Sequence, residues 1–431
     1  MPEFTSLVTG PCAIWYEGKN DSRSFYRRIR AADDHAVFGR GGRVYLAGFG
    51  HNRVAQTVHD DLYVRALALE QALSGPLSGP LSGGDVRLVL AALDLIGLSR
   101  HHCLEIERRV NERAPGTRLI LACTHTHHGP DTIGFWGRNM LSSGVDRDYI
   151  RGLKDRITET VLEALSQRRP ALLRSGSVRV PGVARNARDP EIVDNELTCL
   201  RFCRTDGGEP LATVLIFPCH PEVLWDDNPH VTADYPGFLR RWVEAETGAP
   251  CIFFAGAIGG MMTPDVQEHT FVEAERMGET LARAAAGALS QAEAAPVGRL
   301  AHAVQTYAVP LTNPLFKFAR LIGLLPRTIG LGGAVETEAN LVTIGPVVLA
   351  AAPGELLPKL GLAVKAELAR AGALQAGIIG LANDELGYIL PQEDFVYPRN
   401  PLNPGEHYEE TMSVGPEAGP RLLVALRGLF L

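Results

Sequence analysis

Arg118-Leu119-Ile120-Leu121-Ala122-Cys123-Thr124-His125-Thr126-His127-His128-Gly129-Pro130 is an apolar run that breaks off into three imidazoles. A short apolar run that stops at a polar, Gly- and Pro-containing turn reads as a buried strand, here 118–123. In an extended or tightly turning backbone, side chains two apart point the same way, so His125 and His127 reach one pocket while His128 faces elsewhere. Neutral imidazole is the commonest metal ligand and moves protons near neutral pH. The segment therefore reads as a metal site with an acid/base group beside it. A lone histidine in a chain with 13 of them is ordinarily a core or surface residue. A cluster at a strand end, without helical periodicity, stands where ligands and catalytic groups gather on rigid scaffolds.

Further short apolar runs at 62–69, 86–93, 211–217, 251–254, 347–352 and 376–379 alternate with amphipathic stretches at 100–113, 148–167, 238–246, 272–292 and 357–371. The pattern predicts an α/β (mixed α+β) fold: a central, buried, mixed sheet covered by helices, with the active site at the strand carboxyl ends and loops elsewhere. No linker divides the 431 residues, so a single domain over 1–431 is expected, with 1–43 as an N-terminal extension. The Gly/Pro repeat at 74–84 reads as an exposed hairpin tip.

Hydrophobic content of 45 % supports a large core, and a net charge of −7 argues against nucleic acid as a partner. No stretch is apolar for long enough to span a bilayer, and none near Met1 resembles a secretory signal. Seven cysteines, an odd number without a Cys-x-x-Cys pair, fit reduced thiols and a cytoplasmic location. The stretch 313–327 mixes large apolar side chains with cations. It reads either as an amphipathic lid meeting lipid or a greasy substrate, with peripheral membrane contact, or as a helix packed on the core.

Several polar groups share the position of the histidine cluster, directly after an expected strand. Asp94 follows 86–93, His220 follows 211–217, Glu355 follows 347–352, and Asn383 and Tyr388 follow 376–379. Two imidazoles and a carboxylate with one position left open form the ligand set of a catalytic zinc, and His125, His220 and Glu355 supply it. One zinc per chain and hydrolysis of an acyl bond follow, with His127 shuttling the proton. Asp234 is expected either to orient a zinc-bound imidazole or to cap the helix after it. Asp94, Asn383 and Thr263 are expected behind the ligands or against the substrate. The glycine-rich run 255–264 would let backbone approach a substrate closely.

These motifs resemble the neutral/alkaline non-lysosomal ceramidase family, whose hallmark Thr-His-Thr-His-Ser-Gly-Pro is similar to 124–130 here. The likeness extends through Gly48-Phe49-Gly50, 59–66, Asp94, His220-Pro221, 233–237, Pro353-Gly354-Glu355 and 383–388, in the same order. The resemblance implies zinc bound by His125, His220, Glu355 and the phenol of Tyr388, with His127 as proton carrier. It also implies that Tyr408 donates a hydrogen bond to the scissile carbonyl oxygen, and that an arginine of Arg185-Asn186-Ala187-Arg188, either Arg185 or Arg188, contacts the reaction centre.

The activity implied is zinc-dependent hydrolysis of an N-acyl amide in lipid, notably sphingolipid, metabolism. Three departures bear on the substrate. Gly260-Met261-Met262-Thr263-Pro264 replaces Gly-Asp-Val-Ser-Pro, His128 replaces the hallmark serine, and no β-sandwich is expected after Tyr408. Ceramide, another lipid, and a small amide or ester all stay open. Two rivals stand beside this reading: a metallo-phosphoesterase whose two-metal site includes Asp94, Asp234 and His128, and a homologue that binds a lipid or amide without turning it over.

Overall fold

The 118–123 run folds as the strand Thr117–Cys123, and its side chains alternate between two cores. Leu119, Leu121 and Cys123 enter one core; Ile120 and Ala122 enter the other. The neighbouring strand Val86–Leu93 divides in the same way, Val89, Ala91 and Leu93 against Leu88, Leu90 and Ala92. Both faces are apolar, so this sheet is covered on both sides.

The structure is a computed structural model describing residues 13–15, 28–29, 43–71, 86–206, 208–325, 333–400 and 405–430. The repeat at 74–84, most of the 1–43 extension and the last residues of 313–327 lie outside the described residues.

From edge to edge the larger sheet runs Cys251–Ala255, Pro210–Phe217, Glu196–Arg204, Arg168–Arg179, Ala13–Trp15, Leu62–Gln71, Val86–Leu93, Thr117–Cys123. The pair at each edge is parallel and the strands between are antiparallel. A second sheet orders Leu300–Pro310, Ala334–Ile344, Val347–Ala351, Gln375–Ile379, its last pair parallel. Helices Arg100–Arg113, Arg147–Ser166, Tyr235–Thr247 and Phe271–Ser290 pack on one face of the larger sheet. Val342, Ile344, Leu349 and Ile379 of the second sheet fill the core on its other face. Pro358–Arg370 and Ala418–Arg427 cover the far side of the second sheet.

The architecture is therefore mixed α/β as expected, and its layers run helix, sheet, sheet, helix, the second sheet covering the face of the larger one that the helices leave. The expected helices and strands lie within three residues of the observed ones. Glu196–Arg204, Arg168–Arg179, Leu300–Pro310 and Ala334–Ile344, assigned to loops from the sequence, are strands. They carry Arg, Glu, Thr and Ser among their apolar residues, because some of their positions face solvent, and so show no continuous apolar run.

Asn383 joins the two sheets at the end where the site lies. Its backbone N–H donates to Leu121 O (2.8 Å), its side-chain oxygen accepts from Leu121 N (2.8 Å), and its amide donates to Leu119 O (2.9 Å). It stands in as an extra strand residue beside Thr117–Cys123, so the carboxyl ends of the parallel pairs Val86–Leu93 with Thr117–Cys123 and Val347–Ala351 with Gln375–Ile379 come together.

In the 313–327 stretch, Pro314–Leu321 is a helix capped by Asn313, whose side-chain oxygen accepts from Leu315 N and Phe316 N. Phe316 and Ala319 are buried, while Phe318, Leu321 and Ile322 face solvent, Leu321 at 82 % exposure. Among the described residues no helix is long and apolar enough to cross a membrane.

Candidate metal centre

His125 and His220 are fixed by the same device. The Nδ1 of His125 lies 2.5 Å from Ile96 O, and that of His220 lies 2.9 Å from Met262 O. A carbonyl oxygen only accepts, so both rings carry a proton on Nδ1, which leaves Nε2 as the nitrogen that would offer a lone pair to an ion. The two Nε2 atoms face the two oxygens of Glu355: His125 to Oε1 at 3.5 Å, His220 to Oε2 at 3.1 Å. The rings are 5.1 Å apart between centroids. His125 is held at φ +70°, a backbone conformation uncommon outside glycine and found where a site is worth the strain.

This donor set fits a cation. Two lone pairs and a carboxylate converge in a buried space, a second buried carboxylate, Glu222, stands close by, and the described lining of the cleft contains no Lys or Arg. Negative charge buried without a partner is costly, and two imidazoles with one carboxylate and an open position suit zinc. Burial pushes His125 down to about 3 despite Glu355. At His220, burial is outweighed by Glu222 and then Glu355, which raise it to about 9. Glu355 itself, which burial alone would raise, is held below its ordinary value by His125 and His220.

His127 is the third ring, with centroids 5.0 Å from His125 and 5.5 Å from His220. One ligating nitrogen from each of the three rings lies within 4.8 Å of the others. The ring packs edge-on against Phe49 at 4.8 Å. Gly48, at φ +106°, lies so close that a Cβ there would come within 2.6 to 2.8 Å of the imidazole. Arg53 donates to the carbonyls of His127 and Ala47, both at 3.0 Å, and so ties the two segments together.

Tyr388 stands beside Glu355 because Glu355–Leu356 and Tyr388–Ile389 pair in parallel with those two residues in register. Its hydroxyl reaches Met261 Sδ at 3.4 Å, and burial, then Glu355, raises its pKa. The ring of Tyr408 is 6.0 Å from that of Tyr388. Tyr408 is 39 % exposed as a residue, yet its phenol is raised by burial and then by the Glu355 and Glu222 carboxylates.

Above these groups opens a cleft of about 720 Å³, walled by Ile96, Ile133, Phe135, Trp136, Phe316 and Leu325. Asp131 organises the aromatic wall by accepting the N–H groups of Ile133, Gly134, Trp136 and Gly144 at 2.7 to 3.1 Å.

The structure thus gathers His125, His127, His220, Glu355, Tyr388 and Tyr408 around one cleft. Other expected site residues are engaged elsewhere. Asp94 forms a buried two-pronged ion pair with Arg240, 2.7 Å at each oxygen, and accepts Tyr63 N, so it serves the core. Asp234 accepts Tyr235 N at the start of its helix and sits 3.5 Å from His128 Nε2; the imidazole it faces is the one turned away from the centre. Asp94 is engaged by Arg240 and Asp234 by the helix start, and among the described residues the three or more side chains that come together as a possible metal site are His125, His127 and His220, not the Asp94, Asp234 and His128 of the phosphoesterase rival. Asn383 is the clip between sheets and does not line the cleft. Thr263 lies against Glu222.

Arg185 is exposed on Ala184–Asn186, and Arg188 is held by Glu409, Glu410 and Asp394 O; neither lines the cleft. Arg188 instead ties down the short helix Tyr408–Thr411. The glycine-rich run meets backbone rather than substrate: Gly259 N donates to Leu356 O, and a Cβ on Gly259 would sit 2.6 Å from Glu355 O.

Glu222 stands in the polar stretch that begins at His220-Pro221, and the sequence alone assigns it no role there. It is fully buried, with Oε2 3.1 Å from His127 Nδ1. Burial alone would raise its carboxyl, but His220 and then His127 hold it down to about 2. A charged residue set between Cys219-His220-Pro221 and Val223-Leu224 was the available signal.

Fold and site together define a four-layer mixed α/β protein with a buried His/Glu centre where the strand ends of two sheets meet. No family model matches the sequence, and no curated protein matches it. Solved structures do. Neutral ceramidase from Pseudomonas aeruginosa aligns with a TM-score of 0.72 at 17 % identity, over 97 % of this chain and 73 % of that one. A ceramidase complexed with C2 aligns with a TM-score of 0.73 at 18 % identity, over 97 % and 76 %. The chain has the neutral ceramidase fold.

Proposed function

We propose that the protein is a zinc-dependent amidohydrolase that cleaves an N-acyl amide bearing an apolar acyl chain. The observation that carries this is the meeting of His125 Nε2, His220 Nε2 and the Glu355 carboxylate at the floor of an apolar cleft. When bound there, with Tyr388 beside Glu355 as a further ligand, the ion supplies Lewis acidity and lowers the pKa of water. His127 takes the proton from the attacking water and returns it to the leaving amine. The Tyr408 phenol donates to the carbonyl oxygen as that oxygen gains charge, and Arg188 keeps the Tyr408 turn in place. The apolar walls hold the acyl chain and exclude water.

Likeness to ceramidase structures supports the amide class, and ceramide, other lipid amides and small amides are candidate substrates. Phe318, Leu321 and Ile322, exposed next to the cleft-lining Phe316, support peripheral contact with a lipid surface. Buried, unbridged Cys103, Cys123, Cys199, Cys203, Cys219 and Cys251 fit a reducing, cytoplasmic setting.

The test combines elemental analysis with turnover of short- and long-chain ceramides, other N-acyl amides and esters, with and without a chelator. One zinc per chain and chelator-sensitive amide cleavage are expected, both lost in His125→Ala and His220→Ala. Full activity in either variant, or binding of the substrates without turnover, overturns the proposal. The spacing of the three rings favours a second reading in which His127 also ligates the ion. Zinc retained in His127→Ala supports the proton-carrier role, and zinc lost supports ligation.

A further inference from the structure

We propose that Glu222 is the positioning residue of His127: it holds the ring with its proton on Nδ1, so that the Nε2 lone pair faces the centre. The inference rests on the proton-carrier reading of His127 given above. Glu222 is 0 % exposed, and among the described residues neither of its oxygens has a hydrogen bond of good geometry. The imidazoles beside it are that of His127, 3.1 Å away, and that of His220, two residues earlier in the chain.

Of the two imidazoles, His220 is already satisfied, its Nδ1 by Met262 O and its Nε2 facing Glu355. His127 is not: both ring nitrogens are buried without a well-aligned partner, and Nδ1 is 3.1 Å from Glu222 Oε2. A carboxylate only accepts, so the pair closes to a hydrogen bond only if Nδ1 carries the proton. The backbone holds the two together. His127 N donates to Pro221 O (3.3 Å), Glu222 N to His220 O (3.0 Å) and Trp225 N to Glu222 O (3.1 Å). Gly48 and Phe49 press the ring from other sides, leaving it little freedom to turn away. A carboxylate that selects the tautomer of a proton-carrying imidazole is worth orders of magnitude in rate, although it never touches substrate.

The experiment uses the zinc-loaded full chain and the variants Glu222→Ala and Glu222→Gln, with Glu222→Asp as the conservative replacement. Expected are a fall in kcat of about 100-fold in Glu222→Ala, KM within about twofold of wild type, and unchanged zinc content. Partial recovery is expected in Glu222→Asp. Histidine labelled with 15N reports the tautomer without turnover: the His127 signal, assigned with His127→Gln, should be the Nδ1–H form in wild type and shift toward the other form in Glu222→Ala. Glu222→Gln keeps the shape of the side chain should Glu222→Ala fail to fold. Unchanged kcat in the variants overturns the proposal, as does loss of zinc together with kcat, which would place Glu222 in the metal cradle. If wild type cleaves no amide, the hydrolase reading fails by itself. The tautomer spectrum still decides the role of Glu222, and a spectrum unaltered in both Glu222→Ala and Glu222→Gln refutes it.

Discussion

Gly48→Ala is the sharpest perturbation of the centre that leaves every candidate ligand in place. The new Cβ would lie 2.6, 2.7 and 2.8 Å from Cγ, Cβ and Nδ1 of His127, where ordinary contact begins at 3.4 Å, an overlap of about 0.6 to 0.8 Å. The backbone at φ +106° adds strain of order 1–3 kcal/mol for a residue with a side chain. Relief by moving Gly48 is opposed by Leu46 N–H on Arg53 O (2.8 Å) and Ala47 N–H on Gly129 O (3.0 Å). The imidazole is therefore the part that gives, by several tenths of an ångström. A misplacement of about 1 Å in a reacting group costs ~100-fold in rate, so kcat should fall by roughly 30- to 100-fold. The control is two residues away: a Cβ on Gly50 meets nothing within 4 Å. The assay compares kcat on a cleaved N-acyl amide with zinc content and thermal unfolding for Gly48→Ala, Gly50→Ala and wild type. Equal kcat in the two variants, or a loss at Gly48→Ala explained entirely by lost zinc, refutes the reasoning.

Asp94→Asn leaves the buried Arg240 guanidinium without its counter-charge and should destabilise the fold by about 3–5 kcal/mol in denaturant unfolding; a change under about 1 kcal/mol would mean that the pair is not desolvated. Asp131→Ala frees four backbone N–H groups of the cleft wall, and faster hydrogen exchange across 131–144 with KM raised several-fold over any change in kcat is expected. Unaltered exchange there would show that the wall is held by packing alone. At Glu410, burial is outweighed by Arg188, so its carboxyl lies below the ordinary value. Its stabilising contribution is complete above the unfolded carboxylate value near ~4.3 and is lost as pH falls through the lower folded value. Its neighbour Glu409 is raised, chiefly by burial, and acts in the opposite sense. Glu410→Gln should therefore flatten the loss of stability with acid below about pH 5, and a wild-type slope in that variant would refute the assignment.

Local signals along the chain determined a good deal. The apolar run before His125 and His127 specified a buried strand, whereas the two imidazoles share a pocket through the turn that follows it, where His125 at φ +70° has left the extended backbone that a period of two assumes. The same logic set His220 and Glu355 after their strands, and all four side chains meet at one cleft. Period alone does not say what stands opposite a face, so the second sheet that covers the first was not legible, nor were the strands whose polar residues dilute their apolar run. Partnerships across long separations were equally hidden. Asp94 meets Arg240 from 146 residues away, and Asn383 reaches Leu121 from 262. Gly259 packs on the Glu355 backbone, and Glu222 meets His127 only when two loops are stitched together. Which polar groups can serve a reaction depends on which are already satisfied. That is decided by burial and by the partners packing brings within hydrogen-bond reach, and so by the tertiary structure.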